Sequence, residues 1–265
     1  MPTPTHIADP SPVTCAETSA TIARALFLTL AWPAAAAVSL SVAVGGRDVT
    51  GPGLLLLACG TMAAYGLDRL IDSRDRDSQR LRRALAVGVG LAAAVTAGLA
   101  CTAWWRFKVC AVLSLIAGAY VPLKKFIPKN VLTTAAWTAA TATLPFAEAP
   151  PLDPAFGASV LAVACIMAAN TTLCDLPDFA ADQRAGVRGI TPQFGPRAGA
   201  VAAVTFGGLG ALTAGSVGRW GLAVTALGLA MLAILLVRNP ARGVFRLLAD
   251  GLVTVVPGPL ALLFR

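Results

Sequence analysis

Between residues 174 and 195 the sequence reads CDLPDFAADQRAGVRGITPQFG, leaving a long apolar run with three carboxylates, Asp175, Asp178 and Asp182. On a helix, spacings of three, four and seven residues predict one shared face for all three. Ionised carboxylates that close repel one another unless a cation lies between them. Oxygen donors of this kind suit Mg²⁺, which keeps several waters and takes substrate phosphate as a further ligand. Arg184 and Arg188 follow at once, placed to hold the rest of an anionic group. The same residues also describe a solvated helix end whose acids and arginines neutralise each other. A second cluster weighs against that plain reading. In YGLDRLIDSRDRD, Asp68 and Asp72 stand at i and i+4, with Tyr65 three residues before Asp68 on the same helical face. Arg69 lies between the two acids, and Asp75 and Asp77 lie further into the loop. Two acidic groups flanked by Arg and Lys fit a diphosphate bridged by cations, one Mg²⁺ to each group.

Both clusters have to be positioned by a membrane bundle. Hydrophobic residues make up 57% of the chain and charged residues 13%, with a mean hydropathy of +0.74. Soluble domains carry about 25% charged residues. Apolar runs near the ~20 residues needed to cross a bilayer recur throughout. Nine spans are predicted, at about 21–44, 54–71, 84–103, 109–123, 131–147, 154–173, 198–217, 221–237 and 244–263. The expected fold class is an all-α integral membrane protein, a bundle of about nine transmembrane helices. Residues 1–18 are polar and proline-rich without the basic start and short apolar core of a cleaved signal, so a disordered tail is expected there. Residues 19–265 are expected to form a single transmembrane domain.

Charge sets the orientation. Sixteen Lys and Arg residues fall on one side of the nine-span topology and five on the other. The positive-inside rule puts the sixteen, and both acidic clusters with them, in the cytoplasm. The net charge of +8 then concerns orientation and contact with anionic membrane lipids rather than nucleic acid. No basic run interleaved with aromatics forms a nucleic-acid face. Six cysteines without a CxxC pair, and one histidine, exclude a zinc site of the usual kind and give no disulfide framework.

These motifs resemble those of the UbiA superfamily of intramembrane prenyltransferases, over roughly residues 20–263. Asp175, Asp178 and Asp182 followed by GVRGITPQFG are similar to the family's second aspartate motif and its tail. Asn170 stands where several members carry a polar residue ahead of that motif. Tyr120 followed by Lys124 and Lys125 resembles the family's Tyr and two basic residues after the fourth helix. Asp68-Arg-Leu-Ile-Asp72 resembles the core of the first motif. That first motif usually opens with Asn-Asp, whereas Ala64 and Tyr65 stand here, and RLRRAL replaces the usual Arg-Pro of the following loop.

The resemblance implies a UbiA-like bundle and an enzyme that ionises a polyprenyl diphosphate and passes the prenyl group to an acceptor, aromatic or lipid. Mg²⁺ would be held by Asp68, Asp72, Asp175, Asp178 and Asp182. The diphosphate would meet Asn170, Tyr120, Lys124, Lys125, Arg69, Arg184 and Arg188. Tyr65 faces the carboxylate side, where its ring suits either a cation–π contact to the allylic cation or simple packing. The degenerate first motif also suits a UbiA-type terpene cyclase, in which the isoprenoid's own double bond captures the cation. A third reading, a transporter or non-enzymatic membrane protein, fits less well because transporters place coupling sites near the membrane midplane.

Overall fold

The computed structural model describes residues 15–45, 49–72, 79–123, 126–148, 154–184, 186–238 and 244–263. Every regular element among them is helical. In order these are α1 (Cys15–Leu26), α2 (Trp32–Gly45), α3 (Gly51–Asp72), α4 (Gln79–Ala100), α5 (Trp104–Leu123), α6 (Lys129–Glu148) and α7 (Pro154–Cys174). Two short helices follow, α8 (Phe179–Arg184) and α9 (Ile190–Phe194), then α10 (Pro196–Ser216), α11 (Trp220–Arg238), α12 (Val244–Val255) and α13 (Pro257–Leu263). Each predicted span falls on this helical framework. The chain is an all-α integral membrane bundle. Ser19–Gly45, Gly51–Ile71, Gln79–Ala100, Pro154–Cys174 and Pro196–Ser216 are long and apolar enough to cross a bilayer, and Trp220–Leu236 and Leu247–Leu263 are shorter apolar helices. The expected tail differs at its end: α1 already begins at Cys15, and residues 1–14 lie outside the described residues.

Proline punctuates the helices for a simple reason. It has no N–H to donate and a φ suited to a first turn, and it opens α7, α10 and α13 at Pro154, Pro196 and Pro257. Inside the first span Pro33 has to be accommodated in mid-helix. The helix loosens to a π turn over Phe27–Ala31, where the Trp32 N–H reaches back to the Phe27 carbonyl. Such a widened turn absorbs the ring and the missing donor.

In lipid, apolar side chains gain little by merely leaving the solvent, so close packing has to hold the helices together. The core lies among α2, α7, α10, α11 and α12, with Leu40, Ile166, Leu173, Leu229 and Leu236 buried in it. Helix α10 packs tightly on two sides. A Cβ at Gly207 would come 2.7 Å from the Ala226 carbonyl oxygen, and one at Gly210 would come 3.0 Å from Cys165 Cβ. Helices α3 and α4 pair with each other at the edge, showing Leu67, Ile71, Val87, Leu91 and Val95 outward. There Leu30, from the π turn, acts as a peg between them. A Cβ at Gly66 of α3 or at Gly88 of α4 would meet its methyl groups at 2.7 and 2.8 Å.

Candidate active site

Helix α7 ends at Cys174, and the chain turns before α8 begins at Phe179. The cause is Pro177, which cannot donate back into the helix. The three acids therefore do not ride one continuous helical face, as their spacing predicts. Asp175 stands just past the end of α7, Asp178 lies in the turn and Asp182 lies on α8. Helix α8 closes with paired bonds from Val187 N–H to the Asp182 carbonyl (3.0 Å) and from Gly186 N–H to the Gln183 carbonyl (3.2 Å). This reversal needs a left-handed residue, and Gly186 supplies it with φ of 67°.

Asp175 is the anchor of the region. It is 3% exposed, and both of its carboxylate oxygens are engaged from the first two residues of α6. Lys129 Nζ donates to Oδ1 at 2.9 Å, and Asn130 Nδ2 donates to Oδ2 at 2.9 Å. A buried carboxylate is tolerable only when paired and hydrogen-bonded in this way. The Lys129 ammonium also lies 4.0 Å from Asp182 Oδ2, so one cation stands between two carboxylates.

The same two residues of α6 hold the outgoing loop. Lys129 N–H donates to the Arg188 carbonyl at 3.0 Å, and Asn130 Oδ1 accepts the Ile190 N–H at 3.3 Å. Gly189 passes so close that a Cβ there would lie 2.5 Å from Asn130 Oδ1. Asn130 thus ties together the end of α7 and the start of α9.

The remaining predicted residues fall into distinct places. Asn170, on α7 one turn before Cys174, is 7% exposed and donates from Nδ2 to Asp250 Oδ1 of α12 at 3.2 Å. Arg184 is exposed and donates from Nε to its own helix, to the Ala180 carbonyl. Arg188 points outward while its carbonyl is pinned by Lys129. On α3, Asp68 is half-buried, and Tyr65 (41% exposed) and Arg69 are exposed. Asp72 closes α3 and Tyr120 lies near the end of α5, although their side chains are not among those described. Lys124 and Lys125 lie outside the described residues. Helix α3 packs on α2 and α6, and both of these also pack on α7, so they stand between the two acidic clusters.

No group of three or more His, Cys, Asp or Glu side chains among the described residues is arranged to hold a metal ion. The donor chemistry nevertheless suits a hard cation. Asp175 and Asp182 already share a positive charge, with Lys129 Nζ standing in for it. Sequence reasoning missed three residues of this region: Lys129, Asn130 and Asp250. Lys129 and Asn130 follow Pro128 directly, a helix-start signal, and Asp250 is the lone acid in the last apolar run. Those were the available clues.

No protein-family model matches the sequence, and no curated protein matches it. Solved structures do. A UbiA homolog from Aeropyrum pernix K1, in its apo form, superposes with a TM-score of 0.61 at 15% identity, over 84% of this chain and 96% of that one. The chain has the UbiA fold. A digeranylgeranylglyceryl phosphate synthase superposes with a TM-score of 0.56 at 9% identity, over 91% of this chain and 97% of that one. At these identities the likeness concerns the UbiA fold alone.

Proposed function

We propose that this protein is an intramembrane prenyltransferase, working as one transmembrane unit over residues 19–265. It ionises a polyprenyl diphosphate and passes the prenyl group to an aromatic or lipid acceptor. The observation that carries the reading is the convergence of Asp175 and Asp182 on one cation at the end of α7. A solvated helix end would leave its carboxylates in water. Here Asp175 is buried and braced from α6 by Lys129 and Asn130. The fold it shares with a digeranylgeranylglyceryl phosphate synthase supports the same reading.

Asp175, Asp178 and Asp182, with Asp68 and Asp72 on α3, would hold Mg²⁺. When bound, Mg²⁺ neutralises the charge that builds on a departing diphosphate. The chain's own cations share that work. Lys129, already between two acids, is placed to turn a donor toward phosphate oxygen, and Arg184 and Arg188 flank it. Lys124, Lys125, Tyr120 and Arg69 complete the set of candidate diphosphate contacts, while Asn170, expected there from the motif, gives its amide to Asp250. Donors fixed in advance around developing charge form the largest catalytic contribution in such sites. The apolar helices accommodate the isoprenoid tail. With the motif side in the cytoplasm, as the charge bias indicates, cysteine-accessibility labelling should find the 175–197 segment on the inner face.

A second reading, a UbiA-type terpene cyclase, is favoured by one observation. Ala64 and Tyr65 stand on α3 where an Asn-Asp pair would add polar ligands. One assay separates the two. Purified protein is given Mg²⁺ and a panel of prenyl diphosphates, and the extracted products are read by mass spectrometry. Prenylated acceptor supports transfer, and a hydrocarbon formed without acceptor supports cyclisation. Absence of Mg²⁺-dependent diphosphate release from every chain length would remove both.

A further inference from the structure

A second polar tier lies deeper in the bundle than Asp175. Asn170 precedes the end of α7 by four residues, and Asp250 lies six residues beyond the first residue of α12. At about 1.5 Å of rise per residue these positions are roughly 6–9 Å inside the helix ends. An acidic residue at such depth is costly and is commonly retained for a function.

The local chemistry is that of an acceptor. Asp250 Oδ1 receives the Asn170 amide at 3.2 Å and the Cys174 thiol at 3.5 Å. No described Lys or Arg forms an ion pair with Asp250, and its Oδ2 receives no bond from a described residue. Asn170 is 7% exposed, and its Oδ1 is buried with no hydrogen-bond partner. Beneath the acidic turn, Asn170 Oδ1 thus lies buried beside the Asp250 carboxylate, and among the described residues neither it nor Asp250 Oδ2 receives a donor. The two oxygens suit a neutral O–H group.

We infer that Asp250 is the base that takes the proton from a hydroxyl nucleophile attacking the prenyl group, with Asn170 orienting both. This rests on the prenyl-transfer reading above and adds the class of acceptor, a neutral hydroxyl compound. In the step, the C1–O bond to diphosphate breaks and its electron pair leaves with the diphosphate. A lone pair of the hydroxyl oxygen forms the new C1–O bond. The O–H bond breaks, its electrons stay on oxygen, and the proton passes to Asp250. The tier lies deeper than Asp175 and Asp182, so the head group and the reacting carbon can be served by different layers of one site.

The test uses full-length protein in detergent with Mg²⁺ and geranyl, farnesyl or geranylgeranyl diphosphate. Water, propanol and phenol serve as hydroxyl probes, and prenol and prenyl ethers are read by mass spectrometry. Binding of an unreactive thio-diphosphate analogue is measured in parallel. For Asp250→Asn, kcat should fall by about 10²–10⁴ with analogue binding and KM within about twofold of wild type. Asp250→Glu should recover part of the loss, and Asn170→Ala should show a smaller fall in kcat. Full turnover by Asp250→Asn would overturn the proposal and leave prenyl transfer standing. Loss of analogue binding in Asp250→Asn would overturn it too, by giving Asp250 a structural role. A hydrocarbon as the sole wild-type product would overturn the hydroxyl assignment. A wild type that releases no diphosphate from any substrate would overturn the underlying reading instead.

Discussion

The two acidic clusters look alike in sequence and differ in how they are held. The second, after α7, is gripped from outside its own segment. Two adjacent residues of α6 take both oxygens of Asp175, one backbone carbonyl and one backbone N–H of the following loop. The first cluster lies on α3, a helix whose apolar window is 17% buried, against 56% for that of α7, and of its described side chains Asp68 is half-buried and Arg69 exposed. Its Tyr65 is 41% exposed. Nearby packing there concerns the opposite side of the helix, where Leu30 enters between Gly66 and Gly88. One cluster is thus built into the core, and the other lies on a less buried helix at its edge. Substitutions in the second should cost stability and activity together. Substitutions in the first should cost activity with little change in melting.

The largest effect is expected at Asp175. Asp175→Ala should lower Mg²⁺-dependent turnover by roughly 10²–10³, and it strands the Lys129 charge and the Asn130 amide. Steady-state kinetics with a thermal melt in detergent would show both losses. Unchanged melting would mean that the α6 grip is incidental. Next comes Asn130→Ala, which removes the side-chain bonds to Asp175, Thr172 and the Ile190 N–H and should cost about 1–3 kcal/mol of stability, read in the same melt. Gly189→Ala tests the same grip without altering a charge, since its Cβ would crowd Asn130 Oδ1 at 2.5 Å. It should shift the melt in the same direction as Asn130→Ala, and a neutral outcome for both would level the two clusters.

Smaller effects are expected on α3. Tyr65→Phe keeps the ring and should keep turnover within about threefold if the ring shields a cation or packs. Tyr65→Ala should lower turnover or alter the product, with a melt close to wild type. Equal inactivity of the two variants would make the hydroxyl essential. Smallest of all is Arg184→Ala: an exposed side chain bonded to its own helix should change stability by no more than about 0.5 kcal/mol. Only the Km for prenyl diphosphate should move.

Much of the framework was legible because it is local. Apolar length marks the helices of the bundle, and Pro154 and Pro196 mark helix starts. The spacing of Asp175, Asp178 and Asp182 was legible as a motif but misleading as geometry. Pro177 turns the chain inside it, a conflict between periodicity and a missing N–H that the sequence displayed openly. The partners of the motif were not legible. Asn130 meets Asp175 across 45 residues, and Asn170 meets Asp250 across 80. Neither spacing belongs to any helical period. The π turn before Pro33 is a similar case: proline foretells a disturbance without specifying which backbone register absorbs it.

The grip of α6 on Asp175 also bears on how the chain is made. Helices α6 and α7 are consecutive and packed on each other, and the contact joins the first residue of α6 to the end of α7. Both charges therefore lie at the open end of one helical hairpin, and neither Lys129 nor Asp175 has to be carried through the bilayer as the hairpin enters. Lys129 emerges from the ribosome first and has to wait for 46 further residues before its partner exists. The loop that carries Arg188 and Ile190 follows later still and docks on the same two residues of α6. The pair closes only when the whole hairpin is seated, which makes the acidic turn a late product of synthesis.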